Sequence, residues 1–167
     1  MNTSSRKIVT ALFRAAFLII LVVGFLAPSM VAADTADDIK ALIKQTNEDT
    51  KKNLSVGNEN VSKDGSMEFW SSGGLLQYVP PDAGDVEYVS FSLSPKHIKV
   101  ITLVEGEAAV AMYYSEGSFQ VKGQDPVNHY MTRISEVYVN EDGEWKSRAA
   151  HYSPIAAGSG TNQSSLD

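Results

Sequence analysis

The order of the periodic segments constrains the fold of this chain more than any other feature, because one helical pattern comes first and the later patterns are of the β type. From 36 to about 53 the apolar residues Ile39, Leu42 and Ile43 recur at helical spacing. Acidic residues at the start of this segment and lysines at its end would interact favourably with the dipole of a helix. Runs typical of strands follow at 86–93, 98–104, 108–114, 127–139 and 144–153. A helix followed by an antiparallel meander predicts an α+β domain.

The connecting segments carry turn signals. Residues 55–66 are polar and rich in Gly and Asn, as in a loop, and 121–126 form a second loop. For 67–79, interrupted by Gly73 and Gly74, we predict a short buried turn or helix end and then a strand. The Asp142-Gly143 step supplies the positive φ that a tight hairpin requires.

The first 33 residues have the three zones of a secretory signal peptide. Arg6, Lys7 and Arg14 form a basic start, and 15–27 is an apolar run of 13 residues, well short of the roughly 20 that span a bilayer. Small or short residues precede Asp34, where we predict cleavage. The expected product is secreted or periplasmic, has no stable membrane association, and consists of one domain over 34–155 followed by a disordered tail over 156–167.

Charge and composition exclude several classes of function. Beyond residue 33 there are 11 basic and 20 acidic residues, a net charge of −9, which argues against nucleic-acid binding. The chain has no cysteine, which excludes disulfides, thiolate metal sites and a cysteine nucleophile. Its three histidines lack metal-ligand spacing, so we predict no metal and no cofactor.

The strand predicted at 127–139 has apolar residues on both of its faces. One parity includes Arg133 and His129, and the other includes Tyr130, Ile134 and Tyr138. We expect the first parity to face the interior of the domain. We expect the second parity to face the partner of a homodimer.

Arg133 is the leading candidate for ligand binding, since an inward guanidinium needs an acid or an anionic ligand nearby. The alternative is a structural ion pair with an acid such as Glu116 or Glu136. His129 and His151 are candidate pocket imidazoles or hydrogen-bonded structural residues. Three aromatic residues are further pocket candidates, and core filling explains them equally well: Trp70, Tyr78 and Tyr113. The adjacent Tyr113 and Tyr114 point to opposite faces of their strand, so at most one of them faces inward.

Five segments together resemble the nuclear transport factor 2-like superfamily, especially SnoaL-like proteins and the association domain of calmodulin-dependent protein kinase. They are 94–100, 105–111, 131–134, 141–146 (EDGEWK) and 150–154 (AHYSP). The resemblance implies a cone-shaped domain in which a strongly curved antiparallel sheet wraps round an N-terminal helix, an open pocket, and dimers formed through the outer face of the sheet. It also implies that Arg133 lines the pocket and holds a carboxylate. The chain departs from the family in having one long helix instead of two or three.

Three functions fit this fold, because the same cone serves many roles. The first is an exported, dimeric module that binds or senses a small molecule. The second is an enzyme of the isomerase, dehydratase or cyclase kind, and the third is a structural or interaction module. A buried pocket carboxylate with a raised pKa would favour the enzyme, Arg133 as the only pocket charge would favour binding, and a filled cone would favour the structural role.

Overall fold

A computed structural model describes residues 34–155, and the predicted signal peptide and tail lie outside this range. The helix α1 covers Thr35–Asn53. The strands are β1 (Ser55–Val56), β2 (Ser66–Phe69), β3 (Gln77–Val79), β4 (Val86–Phe91), β5 (Ser94–Val104), β6 (Ala108–Val121), β7 (Val127–Glu141) and β8 (Glu144–Pro154). The predicted α+β class is confirmed.

The helix α1 is capped at both ends. The Asp34 side chain accepts a hydrogen bond of 2.8 Å from the Ala36 amide, which satisfies one of the free amides of the first turn. At the other end Leu54 takes a left-handed conformation with φ 52°, and its amide donates to the Thr50 carbonyl. The caps explain why the helix has almost the bounds that its apolar spacing predicts.

The strands form one strongly curled sheet in the order β1-β4-β6-β7-β8-β2-β3, with β5 also pairing with β6. All pairs are antiparallel except β2 with β8, which are parallel. The prediction of a turn or helix end at the start of 67–79 was wrong, because β2 pairs on both sides, with β3 and with β8. The strand expected at 108–114 continues to Val121, since Gly117 interrupts its pairing only locally.

Gly117 marks an irregularity in β6, where the register with β7 shifts. This residue has φ 142°, and a Cβ atom there would lie 2.4 Å from the Ser92 carbonyl oxygen, so the close approach requires glycine. On one side of Gly117 β6 pairs with β5, and on the other side with β4. Strands β5 and β4 therefore pair one after the other along the same side of β6.

The helix packs against the concave face. Its buried residues Ile39 and Ile43 join Ala109, Ala111 and Tyr138 in one apolar cluster. Between residues 34 and 155, no helix is both long enough and apolar enough to cross a membrane.

Both ends of α1 are tied to the sheet by hydrogen bonds. Glu105 Oε1 accepts from the amide and the hydroxyl of Thr35, at 3.1 and 2.6 Å, and the same hydroxyl accepts from the Gly106 amide. At the far end the Leu54 carbonyl accepts from the Tyr88 amide at 2.8 Å. The helix is thus fixed across the mouth of the curled sheet.

Candidate functional site

A cavity of about 300 Å³ lies between α1 and the concave face of the sheet, at the lower end of the roughly 300–1,000 Å³ usual for ligand pockets. From α1 and the following loop it is lined by Leu42, Ile43, Thr46, Asn47, Thr50, Val56, Gly57, Asn60 and Val61. From the sheet and its connections it is lined by Glu68, Tyr88, Phe91, Leu93, Pro95, Tyr113, Ser115, Ile134, Glu136, Tyr138, Ser147 and Tyr152. The cone is therefore not filled by its own side chains.

A carboxylate held by three phenols is the central polar feature of this cavity. Glu136 is 8% exposed. Its Oε2 accepts hydrogen bonds from Tyr113 and Tyr138, at 2.8 and 2.7 Å, and its Oε1 accepts from Tyr152 at 3.1 Å. Three donors on two oxygens are the pattern of an ionised carboxylate, because a protonated one would offer a donor of its own.

Burial and hydrogen bonding act on the pKa of Glu136 in opposite directions. Burial, the larger effect, raises this pKa, while the three phenol donors lower it and the nearby charge of Glu68 raises it further. Burial also raises the pKa of Tyr113, Tyr138 and Tyr152 well above the ordinary phenol value, and the Glu136 charge adds to that rise. The net result is a raised pKa for Glu136, surrounded by phenols that stay neutral.

Two further acceptors lie in the cavity wall. Glu68 lines the cavity from β2, and its Oε2 accepts from Trp70 Nε1 at 2.9 Å. Asn47 lines it from α1, and its Oδ1 atom is buried with no hydrogen-bond partner among the described residues. Within the part of the chain that the structure describes, the only charged lining residues are the two acids, and Lys, Arg and His do not contribute to the lining.

The structure places Tyr113 in this cavity and Tyr114 on the other side of β6. It places Arg133 on the outer face, where the guanidinium is exposed and its Nη2 donates to Ser153 Oγ at 3.1 Å. The inward orientation predicted for Arg133 was wrong. The inner residues of β7 are those of the other parity, including Ile134 and Glu136, so Arg133 pairs with neither a cavity ligand nor the acids considered for it.

His129 and His151 also lie outside the cavity. His129 is exposed on β7, with φ 55°, and lines an open groove together with Lys96 and Glu116. His151 is exposed on the outer face and packs edge-on against Phe69, with ring centroids 5.5 Å apart.

A β-bulge explains the error for His151. In β8, Ala149 pairs with Val137 and Ser147 pairs with Tyr138, so Arg148 is an extra residue. The alternation of faces therefore shifts after Ser147, and Tyr152 takes the inner position that a regular strand would give to His151.

Trp70 and Tyr78 lie at the margin of the site. Trp70 is 48% exposed and reaches the cavity only through its hydrogen bond to Glu68. Tyr78 is 56% exposed, and its hydroxyl donates to the Asp64 carbonyl at 3.3 Å.

From the sequence, Glu136 was expected only as a possible ion-pair partner of Arg133 and Tyr138 only on the dimer face, and no role was predicted for Tyr152 or Glu68. The spacing of Glu136 and Tyr138, two residues apart on one strand, is the signal that places both on the same face. Among residues 34–155, no group of three or more His, Asp or Glu side chains is arranged to hold a metal ion.

No protein-family model matches the chain, and no curated protein matches it significantly. Solved structures do match it in fold. An NTF2-like protein from Cytophaga hutchinsonii has a TM-score of 0.51 at 14% identity, over 71% of this chain and 98% of its own. An NTF2-like protein of unknown function from Prochlorococcus marinus has a TM-score of 0.49 at 16% identity, over 73% and 94%. The association domain of C. elegans calmodulin-dependent protein kinase II has a TM-score of 0.46 at 15% identity, over 70% and 94%.

The first of these likenesses supports the resemblance stated from the sequence. At 14% identity it establishes the fold and not the activity. With its single helix laid against a strongly curled sheet, this chain has the nuclear transport factor 2-like fold.

Proposed function

We propose that the protein is a binding module that holds a small molecule in the cavity between α1 and the sheet. The observation that carries the proposal is the Glu136 cluster, a buried carboxylate with three phenol donors at the wall of an otherwise largely apolar cavity. Such a site combines apolar walls with a few fixed polar groups, which is the usual composition of ligand pockets. A module with a purely structural role would instead have a filled cone.

A carboxylate ligand does not fit this site. The expectation of a carboxylate ligand depended on an inward-facing Arg133. Among the residues that the structure describes, the charged ones that line the cavity are instead Glu68 and Glu136. A ligand carboxylate would meet two like charges in a poorly solvated space, where repulsion is strong. The proposed ligand therefore lacks a negative charge.

An enzymatic function is the second candidate, and the raised pKa of Glu136 favours it, since a buried carboxylate can act as a general base. Three of the four tyrosines in the lining, however, donate their hydroxyls to Glu136. They are committed to holding the carboxylate and not to polarising a substrate carbonyl. Binding without chemistry is therefore the function that this geometry supports best.

The binding proposal is tested by a substitution that places a larger side chain in the cavity. Ser115 lies in the lining and is 6% exposed, so Ser115→Leu should occupy the space that a ligand needs. We expect the neutral probes benzyl alcohol and cyclohexanol to shift the backbone amide resonances of Tyr113 and Glu136 in the wild type. In Ser115→Leu the affinity should fall by at least about tenfold, or 1.4 kcal/mol.

Ser135→Leu is the matched control, because Ser135 lies on the outer face of β7. It should leave both affinities unchanged. If neither probe shifts these resonances in the wild type, or if Ser115→Leu binds as well as the control, the proposal of a binding cavity fails.

We also propose that the module is exported and acts outside the cytoplasm, as its N-terminal pattern indicates. Cleavage before Asp34 would keep the residue that caps α1. Sequencing of the protein recovered outside the cytoplasm should begin at or near Asp34. Recovery of an intact Met1 from the membrane fraction would contradict the cleavage.

Finally, we propose a homodimer, formed through the outer face of the sheet. The residues that form this face differ from those expected from the sequence, because Ile134 and Tyr138 belong to the interior. The outer face instead carries exposed apolar residues on neighbouring strands, among them Ile101, Met112 and Phe69.

A further inference from the structure

The charges of the cavity lining are unbalanced. The Glu136 carboxyl group accepts three hydrogen bonds and donates none, which is the pattern of the ionised form, and Glu68 lines the same cavity. The phenols that hold Glu136 are neutral, so they stabilise its charge without cancelling it. A buried carboxylate without a cation carries a large desolvation cost, and a positively charged ligand would reduce that cost.

The other polar atom of interest also requires a donor. Asn47 Oδ1 is buried in the helical wall of the cavity and has no partner among residues 34–155. A buried acceptor left without a hydrogen bond costs about 1–3 kcal/mol. A ligand with several N–H groups would satisfy this atom and contact the acids from the same cavity.

Aromatic rings add to the attraction for a cation. Tyr88 and Phe91 both line the cavity and pack edge to face, with centroids 4.9 Å apart. The faces of aromatic rings attract organic cations, by about 0.5–2 kcal/mol. A metal ion fits less well, since Ca²⁺ takes about six to eight oxygen ligands and the described lining offers two carboxylates that are already hydrogen-bonded.

On this basis, and given the proposed binding function, we infer that the ligand is a small organic cation, a protonated amine carried on an apolar body. The ammonium group lies between Glu136, Glu68 and Asn47, and the body occupies the apolar wall formed by Leu42, Ile43 and Ile134. The site selects cations over neutral molecules and anions by charge. Its polar groups accept hydrogen bonds, and the described residues of its lining include acids but no Lys, Arg or His.

The experiment compares three probes of the same shape and different charge: benzylamine, benzyl alcohol and benzoate. Each is titrated into the protein produced from the full-length gene, and binding is followed by the amide resonances of Tyr113 and Glu136. We expect benzylamine to bind at least about tenfold more tightly than benzyl alcohol, as befits a hydrogen bond between charged groups. Benzoate should bind more weakly than either probe.

Glu136→Gln should reduce the affinity for benzylamine by about tenfold or more relative to its effect on the affinity for benzyl alcohol. Glu68→Gln should act in the same direction and provides a second variant if Glu136→Gln does not fold. Glu107→Gln removes one negative charge at an exposed position outside the lining and should change neither affinity.

The inference is overturned if benzyl alcohol binds as tightly as benzylamine, or if both cavity variants keep the wild-type preference. In that case binding of the alcohol still supports the binding module. Loss of the module itself has a different signature, because then neither neutral probe shifts the cavity resonances in the wild type.

Discussion

At the scale of single residues, Glu136 decides the chemistry of the cavity. Its two oxygens accept from Tyr113, Tyr138 and Tyr152, and these tyrosines come from two neighbours of β7 and from β7 itself. Each donor is fixed by its strand, so the carboxylate is held by a preorganised set of dipoles and not by a counter-charge. This arrangement leaves the negative charge available to a ligand.

The pH dependence of stability should report the burial of this carboxylate. Its pKa is higher in the folded than in the unfolded state, so folding binds a proton, and its contribution to stability is complete at low pH. That contribution is lost as the pH rises from the ordinary carboxyl range through the folded pKa. Each pKa unit between the two states changes the free energy of unfolding by about 1.4 kcal/mol.

The measurement is urea unfolding of the wild type and Glu136→Gln from pH 4 to pH 8. The variant should gain stability relative to the wild type as the pH rises, because only the wild type loses this contribution. For the exposed control Glu107→Gln the difference should stay flat. If the wild type instead gains stability relative to Glu136→Gln as the pH rises, the phenol hydrogen bonds lower the pKa of Glu136 more than burial raises it.

At the scale of elements, periodicity predicted the existence and order of the structure well. The helix, the strand meander and the Asp142-Gly143 hairpin are all present, and both hairpin residues have positive φ, at 55° and 91°. These features follow from local chemistry, namely apolar spacing, charge near helix ends and turn residues, and so they are visible in one sequence.

The faces of the strands were harder to predict. Each parity of the strand predicted at 127–139 contains apolar residues and one long charged residue, Arg133 or Glu136, so composition does not say which parity faces inward. The choice is made by tertiary contacts, since the tyrosines that bind Glu136 include two from β6 and β8. The bulge at Arg148 adds a second difficulty, because it ends the regular alternation from which His151 was assigned.

At the scale of the whole molecule, the outer face of the sheet is the surface through which we propose that the chain dimerises. Met112 is 49% exposed on β6, and the exposed Ile101 lies on the adjacent strand β5. Val110 and Val137 pair across β6 and β7 and extend the same surface. A second copy of the chain would cover this apolar area, which a monomer leaves in water.

Sedimentation of the protein at micromolar concentration should therefore give the mass of a dimer. Met112→Asp places a charge within the proposed interface and should yield a monomer with little change in folding. Leu75→Asp is the control, because Leu75 is 87% exposed in the segment between β2 and β3, outside the strands of the sheet. A wild type that sediments as a monomer contradicts the proposal.

The extra residue in β8 makes the cavity tolerant of a change in chain length at one place. Deleting Arg148 would remove the bulge and restore regular pairing, yet Ser147 and Tyr152 would keep their inner positions. The strand β7 has no extra residue near Glu136. Loss of Val137 would therefore turn the Tyr138 side chain to the opposite face of the strand from Glu136. Loss of one residue at this bulge is thus compatible with the lining, whereas the central strand β7 must keep its length.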